Sequence, residues 1–123
     1  MSAFETHLKE ICERADDVIV ACVMGLDGLA IETVRQGELE DQVDADALFV
    51  EFSSILSQIR ERTDGLALGQ IEEMSIQSGN ITTILRLINS EYFVAAAVLP
   101  KGNLGKARYL LRVQAPKMIG ELQ

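Results

Sequence analysis

The feature that most constrains this chain is an uninterrupted apolar run at residues 18–24, Val-Ile-Val-Ala-Cys-Val-Met. Successive side chains of a strand point to opposite faces of a sheet, so this run presents apolar surface on both faces. Such a strand is stable only where other elements cover it from both sides. The run therefore predicts a central strand.

The segment before this run is predicted to be an amphipathic helix over residues 3–15. Ser2 and Glu5 have the S-x-x-E spacing of a capping box. The opposite face is polar and carries His7, the one histidine of the chain, so His7 is expected to face solvent. The apolar positions recur at intervals of three and four: Phe4, Leu8, Ile11, Cys12 and Ala15.

The two cysteines, Cys12 and Cys22, each lie in an apolar stretch and do not form a C-x-x-C pair. We expect both to be reduced, buried thiols. The first residues have no basic region followed by an apolar one, and no stretch reaches the roughly 20 apolar residues of a membrane span. These features predict a cytoplasmic chain with no membrane insertion.

After the central strand, Asp27-Gly28 is typical of a tight hairpin turn, and residues 29–34 alternate in part as a second strand. Residues 36–46 are acidic and poor in large apolar side chains, which predicts an exposed loop. Helical periodicity returns at residues 45–62, with Asp44 as N-cap. Its apolar stripe comprises Leu48, Phe49, Phe52, Ile55, Leu56 and Ile59.

Beside that stripe, the helix has a face of small, weakly charged residues: Val50, Ser53, Ser54 and Ser57. A mildly polar exposed face is one interpretation. The close approach of a second helix, which small side chains permit, is the other. The residues alone leave both open.

Three more strands are predicted at residues 69–77, 81–88 and 92–99, joined by short turns into an antiparallel meander. The first is the most polar, with Glu72, Glu73, Ser75 and Gln77, and is the best candidate for an edge strand. A last helix follows residues 100–102, and Pro116 should kink or split it.

The order is helix, two strands, helix, three strands, helix. This predicts an α+β fold with one five-stranded antiparallel sheet flanked by helices. No repeat or linker divides the chain, so residues 1–123 are expected to form a single domain.

The charge distribution disfavours nucleic acid as a partner. The net charge is −8; residues 101–123 hold five Lys/Arg and one acid, whereas residues 1–100 hold six Lys/Arg and eighteen acids. An acidic body repels a phosphate backbone.

The sequence also lacks the usual signs of catalysis. It has neither a G-x-x-x-x-G-K-[ST] nor a G-x-G-x-x-G phosphate loop, so the chain is not expected to bind GTP itself. A Ser or Cys nucleophile usually needs a base, and the sole histidine is expected to face solvent. We expect no catalytic residues, no metal and no cofactor.

Three local patterns resemble the Roadblock/dynein light chain family. Residues 25–31, Gly-Leu-Asp-Gly-Leu-Ala-Ile, are similar to its D-G-L hairpin turn and following strand. The central amphipathic helix ends near Gly65, as in the family. Residues 102–112, Gly-Asn-Leu-Gly-Lys-Ala-Arg-Tyr-Leu-Leu-Arg, are similar to its G-N-L-G-x-A-R-Y-x-L-R entry to the last helix. The resemblance spans essentially the whole chain and implies Roadblock-like, profilin-like layers.

The resemblance implies a homodimer formed through the central helix and the neighbouring strand, which joins two sheets into one. On this basis the expected dimer interface comprises Val50, Ser53, Ser54, Ser57, Glu73, Ser75 and Gln77. Arginine at positions 54 and 57 is expected to separate the protomers without unfolding them. The compact form looks closest to the bacterial members that control gliding motility and polarity, some of which activate a GTPase while others scaffold.

The leading hypothesis is a non-catalytic module that binds a Ras-like small GTPase or another Roadblock-type protein. The candidate partner-binding residues are Glu51, Gln58, Arg60, Glu61 and Arg62 of the central helix. Arg60 or Arg62 supplied in trans to a GTPase stays an open possibility. The alternative is a small-molecule sensor with a ligand between sheet and helices, since sheets flanked by helices often hold one there.

Overall fold

A computed structural model describes residues 3–37 and 43–122. It has the predicted order of elements, and the expected strand at residues 69–77 is reduced to its last five residues. The elements are α1 (Ala3–Arg14), β1 (Val18–Gly25), β2 (Ala30–Arg35), α2 (Ala45–Thr63), β3 (Glu73–Gln77), β4 (Thr82–Leu87), β5 (Tyr92–Val98), α3 (Leu104–Met118) and a 3-10 turn (Ile119–Leu122).

The five strands form one antiparallel sheet in the order β2-β1-β5-β4-β3. β1 is therefore internal, as its apolar run requires, and all eight of its residues are buried. β5 lies beside it and is buried from Phe93 to Val98. The predicted edge strand β3 is confirmed at one end of the sheet, and β2 forms the other edge.

Two separate hydrophobic clusters cover the two faces of the sheet. On one face α1 and α3 pack over Ala21, Val23 and Ala96. On the other face α2 packs over Cys22, Met24 and Ala95. Because residues alternate between the two clusters along β5 and along β1 from Val20 to Met24, the two central strands hold the three layers together.

The ends of the helices follow the expected capping chemistry. The Asp44 side chain accepts a hydrogen bond from Ala47 N at 3.1 Å and begins α2. Asn103 does the same for α3 through Lys106 N at 3.0 Å. The proposed N-cap Ser2 and residues 38–42 of the predicted acidic loop lie outside the described residues.

The prediction that this loop is exposed is wrong for its first residue, Gln36. Its side chain is half-buried and its amide donates to Val18 O at 2.6 Å and to Ala15 O at 3.3 Å. Gln36 thus joins the end of β2 to the α1–β1 connection. The reason is that Gln36 follows β2 next to the α1–β1 connection, where its side-chain amide reaches these backbone carbonyl groups.

One further expectation needs correction, and another is narrowed. His7 does not face solvent: it is half-buried between α1 and α3, and its Nδ1 lies 2.9 Å from Gln114 Oε1. Of the two outcomes expected at Pro116, a kink or a split, the split does not occur, because α3 continues to Met118 and only then tightens into the 3-10 turn. The position of His7 arises from the packing of α1 against α3, which the helical pattern of either segment alone does not contain.

Both cysteines are buried and unpaired, as predicted. Burial, with a smaller contribution from Glu13, raises the pKa of the Cys12 thiol from 9.0 to about 11. Burial also raises the pKa of Cys22, opposed by the Thr33 hydroxyl, which donates to Cys22 Sγ at 3.4 Å. Both sulfur atoms therefore remain protonated thiols near neutral pH, which makes them poor nucleophiles.

The raised pKa of Cys12 predicts a loss of stability in alkaline solution. Between the unfolded pKa of 9.0 and the folded value of about 11, the unfolded chain releases a proton that the folded chain retains, so stability falls as pH rises. From pH 8 to pH 10, Cys12 should contribute about 1 kcal/mol of this fall. Urea denaturation of wild type and Cys12→Ala at both pH values measures it; equal pH dependence in the two proteins would contradict the prediction.

Candidate functional site

The helix α2 divides into an inner side, two flanks and an outer face. Ala45, Phe49, Ser53 and Leu56 are buried against the sheet. Residues three and four apart lie on the same side of a helix, so the positions on either side of this buried row form the flanks. The two flanks differ sharply in chemistry.

The first flank faces the β1–β2 turn and contains the small residues of the sequence-based interface. Ser53 is only 2% exposed and its hydroxyl donates to Val50 O at 2.6 Å. Ser57 is half-buried and its hydroxyl donates to Leu26 O at 3.3 Å. The turn approaches so closely because Gly28 has a φ of +87° and lacks a Cβ, which would lie 3.6 Å from both Ser53 and Val50.

These contacts correct the expectation that Ser53 and Ser57 lie on an outward face. Their small size accommodates the hairpin of the same chain. Of the four helix residues assigned to the interface, Ser54 and Val50 are exposed, with Val50 at 43% and directed towards the β1–β2 hairpin. The sequence left an exposed face and the close approach of a second helix both open, and the element that approaches is the β1–β2 hairpin.

The second flank faces the β4–β3 side of the sheet and is apolar. Leu48 and Phe52 are partly buried against the same cluster as Met74 of β3 and Leu87 of β4. Ile59 is also half-buried, and Ile55 is 42% exposed. All four belong to the apolar stripe that the sequence predicts for this helix. We call Leu48, Phe52, Ile55 and Ile59 the apolar flank of α2.

The edge strand β3 runs beside this apolar flank. Among the residues that the structure describes, it pairs only with β4, with Ser75 opposite Ile84. Met74 and Ile76 point to the α2 side, and Glu73, Ser75 and Gln77 to the α3 side. The outer backbone edge of β3 therefore lies next to a partly uncovered apolar surface.

Glu73 is the most constrained side chain of β3. Its carboxylate lies 2.7 Å from Arg108 of α3 and 3.7 Å from Arg86 of β4, and its side chain is 15% exposed. Opposite charges stabilise the ionised carboxylate, so these ion pairs brace the edge strand against α3. Ser75 and Gln77 are exposed beside it.

The predicted partner-binding residues separate into two groups. Glu51, Gln58, Glu61 and Arg62 are exposed on the outer face of α2. Arg60 is half-buried instead, and its guanidinium donates to Ser90 O at 2.7 Å, which fixes the β4–β5 turn. Arg62 is thus the more accessible of the two arginines at this end of α2.

An open cavity of about 1030 Å³ lies beyond Arg60, between the end of α2, residues 64–72 and the β4–β5 turn. Its lining mixes charged and apolar side chains, including Arg60, Glu61, Glu72 and Glu91. Leu66 and Leu68 of the adjoining segment are about 60% exposed, and Ala67 has a φ of +59°. This cavity lies at one end of the sheet and not between the core side chains of sheet and helices.

The remaining chemistry of the described residues is sparse. Across residues 3–37 and 43–122, no three His, Cys, Asp or Glu side chains come close enough together to hold a metal ion. Within the same residues, no helix is both long enough and apolar enough to cross a bilayer. The most distinctive surface is therefore the open backbone edge of β3 together with the apolar flank of α2 beside it.

Comparison with known proteins gave no matching family model and no matching curated protein. Solved structures do match. MglC from Myxococcus xanthus is 35% identical, with 96% of this chain and 98% of that chain covered and a TM-score of 0.67. MglB from Myxococcus xanthus is 9% identical with 98% of each chain covered and a TM-score of 0.78. A Roadblock/LC7 domain from Streptomyces avermitilis is 13% identical with 95% of each chain covered and a TM-score of 0.78.

The different surroundings of Ser57 and Ser54 on α2 predict unequal effects of substitution at these two positions. Ser57→Arg should lower the free energy of unfolding by about 1 to 3 kcal/mol, because it removes a half-buried hydrogen bond and crowds the β1–β2 turn. Ser54→Arg, on the exposed surface, should change it by less than about 0.5 kcal/mol. Urea denaturation of both variants measures the two free energies of unfolding. Equal values would contradict the prediction and would mean that the β1–β2 turn rearranges without loss of stability.

Proposed function

The chain belongs to the Roadblock family, and on that premise we propose that it is a non-catalytic homodimeric module that binds a Ras-like small GTPase or a second Roadblock-type protein in the cytoplasm. The observation that carries the proposal is the apolar flank of α2 beside the unpaired edge of β3. A soluble protein gains little from leaving both uncovered.

A second copy of the chain would cover both features at once. Antiparallel pairing of β3 with the partner's β3 satisfies the backbone groups of the edge and continues the sheet across a two-fold axis. The same operation brings the apolar flank of each α2 towards the other, so Ile55 and Phe52 leave water in both protomers. The interface assigned to β3, with Glu73, Ser75 and Gln77, is retained in this proposal. On α2, the contact shifts from the serines to the apolar flank.

Helix α2 leaves its outer face free in such a dimer. Glu51, Gln58, Glu61 and Arg62 of the two protomers would then form one charged surface on the side away from the sheet. A mixed charged surface suits a protein partner, because charge complementarity sets orientation and speeds encounter. A solved MglB from Thermus thermophilus is called a gliding protein, which supports a role in motility or polarity control.

A non-catalytic role agrees with the state of the reactive groups. His7 is bonded to Gln114 and half-buried, and both thiols are buried with raised pKa values. Any effect on GTP hydrolysis would act on the partner, either by repositioning its switch loops or by supplying Arg62 to the transferred phosphoryl group. Arg60 is less suited to that task because its guanidinium already holds Ser90 O.

The dimer predicts a specific effect of charge on the apolar flank. Wild type should scatter light as a particle of about 27 kDa, twice the 13.5 kDa chain. Ile55→Arg should give a folded monomer at roughly 20 µM chain, since each dimer would bury two unpaired charges. Gln58→Arg, which adds the same charge on the outer face, should remain dimeric. A monomeric wild type would remove the basis of the proposal.

The partner surface predicts a second, separable effect. Immobilised wild type should retain a Ras-like GTPase or another Roadblock-type chain from a lysate of the source cells. The double variant Glu51→Arg and Arg62→Glu, checked to be dimeric, should retain about tenfold less because it reverses charges that guide the contact. Retention of a small molecule without any protein would instead favour the sensor alternative, and equal retention by both proteins would count against the outer face of α2.

A further inference from the structure

We propose that the dimer carries a basic groove on its α3 side, above the paired β3 strands, and that this groove binds an acidic segment of a partner protein. The proposal rests on the homodimer of the preceding section. It concerns the opposite side of the sheet from α2, and the groove exists only when two chains pair. A single chain contains half of its floor and one of its two walls.

The floor of the groove is the α3 side of β3. Glu73 points to this side because its carboxylate meets Arg108 of α3, and alternation places Ser75 and Gln77 beside it. Helix α3 packs mainly on β5 and β4, and over β3 its Arg108 side chain reaches Glu73. Ser75 and Gln77 are accordingly exposed and offer hydrogen-bonding groups to a bound segment.

The walls are formed by the flank of α3 that faces β3. Arg108 and Arg112 are four residues apart and therefore lie on this same flank. Both are exposed, and the Arg112 guanidinium lies 5.7 Å from the centre of the Tyr109 ring. Each protomer thus contributes three positive charges to the groove, from Arg86, Arg108 and Arg112, and one negative charge, from Glu73.

The width follows from the spacing of the strands. With about 4.8 Å between neighbouring strands, two α3 helices centred above the β4–β5 boundaries lie about 19 Å apart across the dyad. A helix with its side chains is about 10 Å across, which leaves a gap of about 9 Å between the walls. This gap admits one extended segment, with both walls in reach.

The charge identifies the occupant. The chain has a net charge of −8, yet residues 101–123 hold five of its eleven Lys/Arg, two of them on this flank. Arginine pairs with carboxylates in a planar, two-pronged geometry, which suits aspartate and glutamate side chains.

The test uses a fluorescently labelled peptide of twelve residues, Glu-Glu-Ala repeated four times, and the intact wild-type protein. Fluorescence anisotropy should show saturable binding of one peptide per dimer that weakens as salt is added. The matching Gln-Gln-Ala peptide should not bind. One peptide per single chain would contradict a groove shared by two protomers.

Two variants of α3 test whether the arginines of the groove wall bind the peptide. Arg112→Gln should weaken binding by about tenfold or more, because each groove loses two charges, while the particle remains at about 27 kDa. Lys117→Gln removes the same charge from the same helix but lies about 140° around its axis, so it should bind as wild type does. Equal loss in both variants would indicate general charge attraction and overturn the groove.

Failure of the groove and failure of the dimer can be told apart. A wild type that is dimeric but does not bind the acidic peptide overturns the groove alone, whereas a monomeric wild type overturns the proposed function. The monomeric variant Ile55→Arg should lose the peptide although every groove residue is intact. A twelve-nucleotide DNA strand that competes better than the acidic peptide would also overturn the proposal.

Discussion

The structure depends on the burial of both faces of its two central strands. All eight residues of β1 and six of the seven in β5 are buried, and their side chains alternate between two separate clusters. A sheet with an apolar centre on both faces is stable only as the middle of three layers. The alanines at positions 95–97 keep the centre thin enough for helices to cover it, with α1 and α3 on one face and α2 on the other.

This arrangement leaves a partly exposed apolar surface beside the β3 edge of the sheet. The three helices cover mainly the central strands, whereas β3 at the end of the sheet is less buried. Helix α2 turns its inner row to the sheet and its serine flank to the β1–β2 hairpin, which leaves its apolar flank directed towards β3. An open strand edge and an apolar helix flank then lie side by side, and a second chain can satisfy both.

The same edge carries a different chemistry on the other side of the sheet. There Glu73 is held between Arg86 and Arg108, and the arginines of α3 continue along the flank of that helix. The two sides of β3 are therefore suited to different tasks. The α2 side is apolar and suits a permanent contact between copies, whereas the α3 side is charged and suits a reversible one.

The sequence by itself determined the order of elements, the internal position of β1, the polar edge strand and the buried thiols, because each depends on local periodicity or on the polarity of a single segment. At the serines of α2 it left an exposed face and the close approach of a second helix both open. Only the tertiary structure decided what approaches. The hairpin at Gly28 contacts Ser53 and Ser57, so the face available to a partner is the one that contains Ile55 and Phe52. His7, Gln36 and Arg60 were misjudged for the same reason. A periodic pattern defines which residues share a face, but the contact that a face makes depends on how distant segments pack, and no segment encodes that alone.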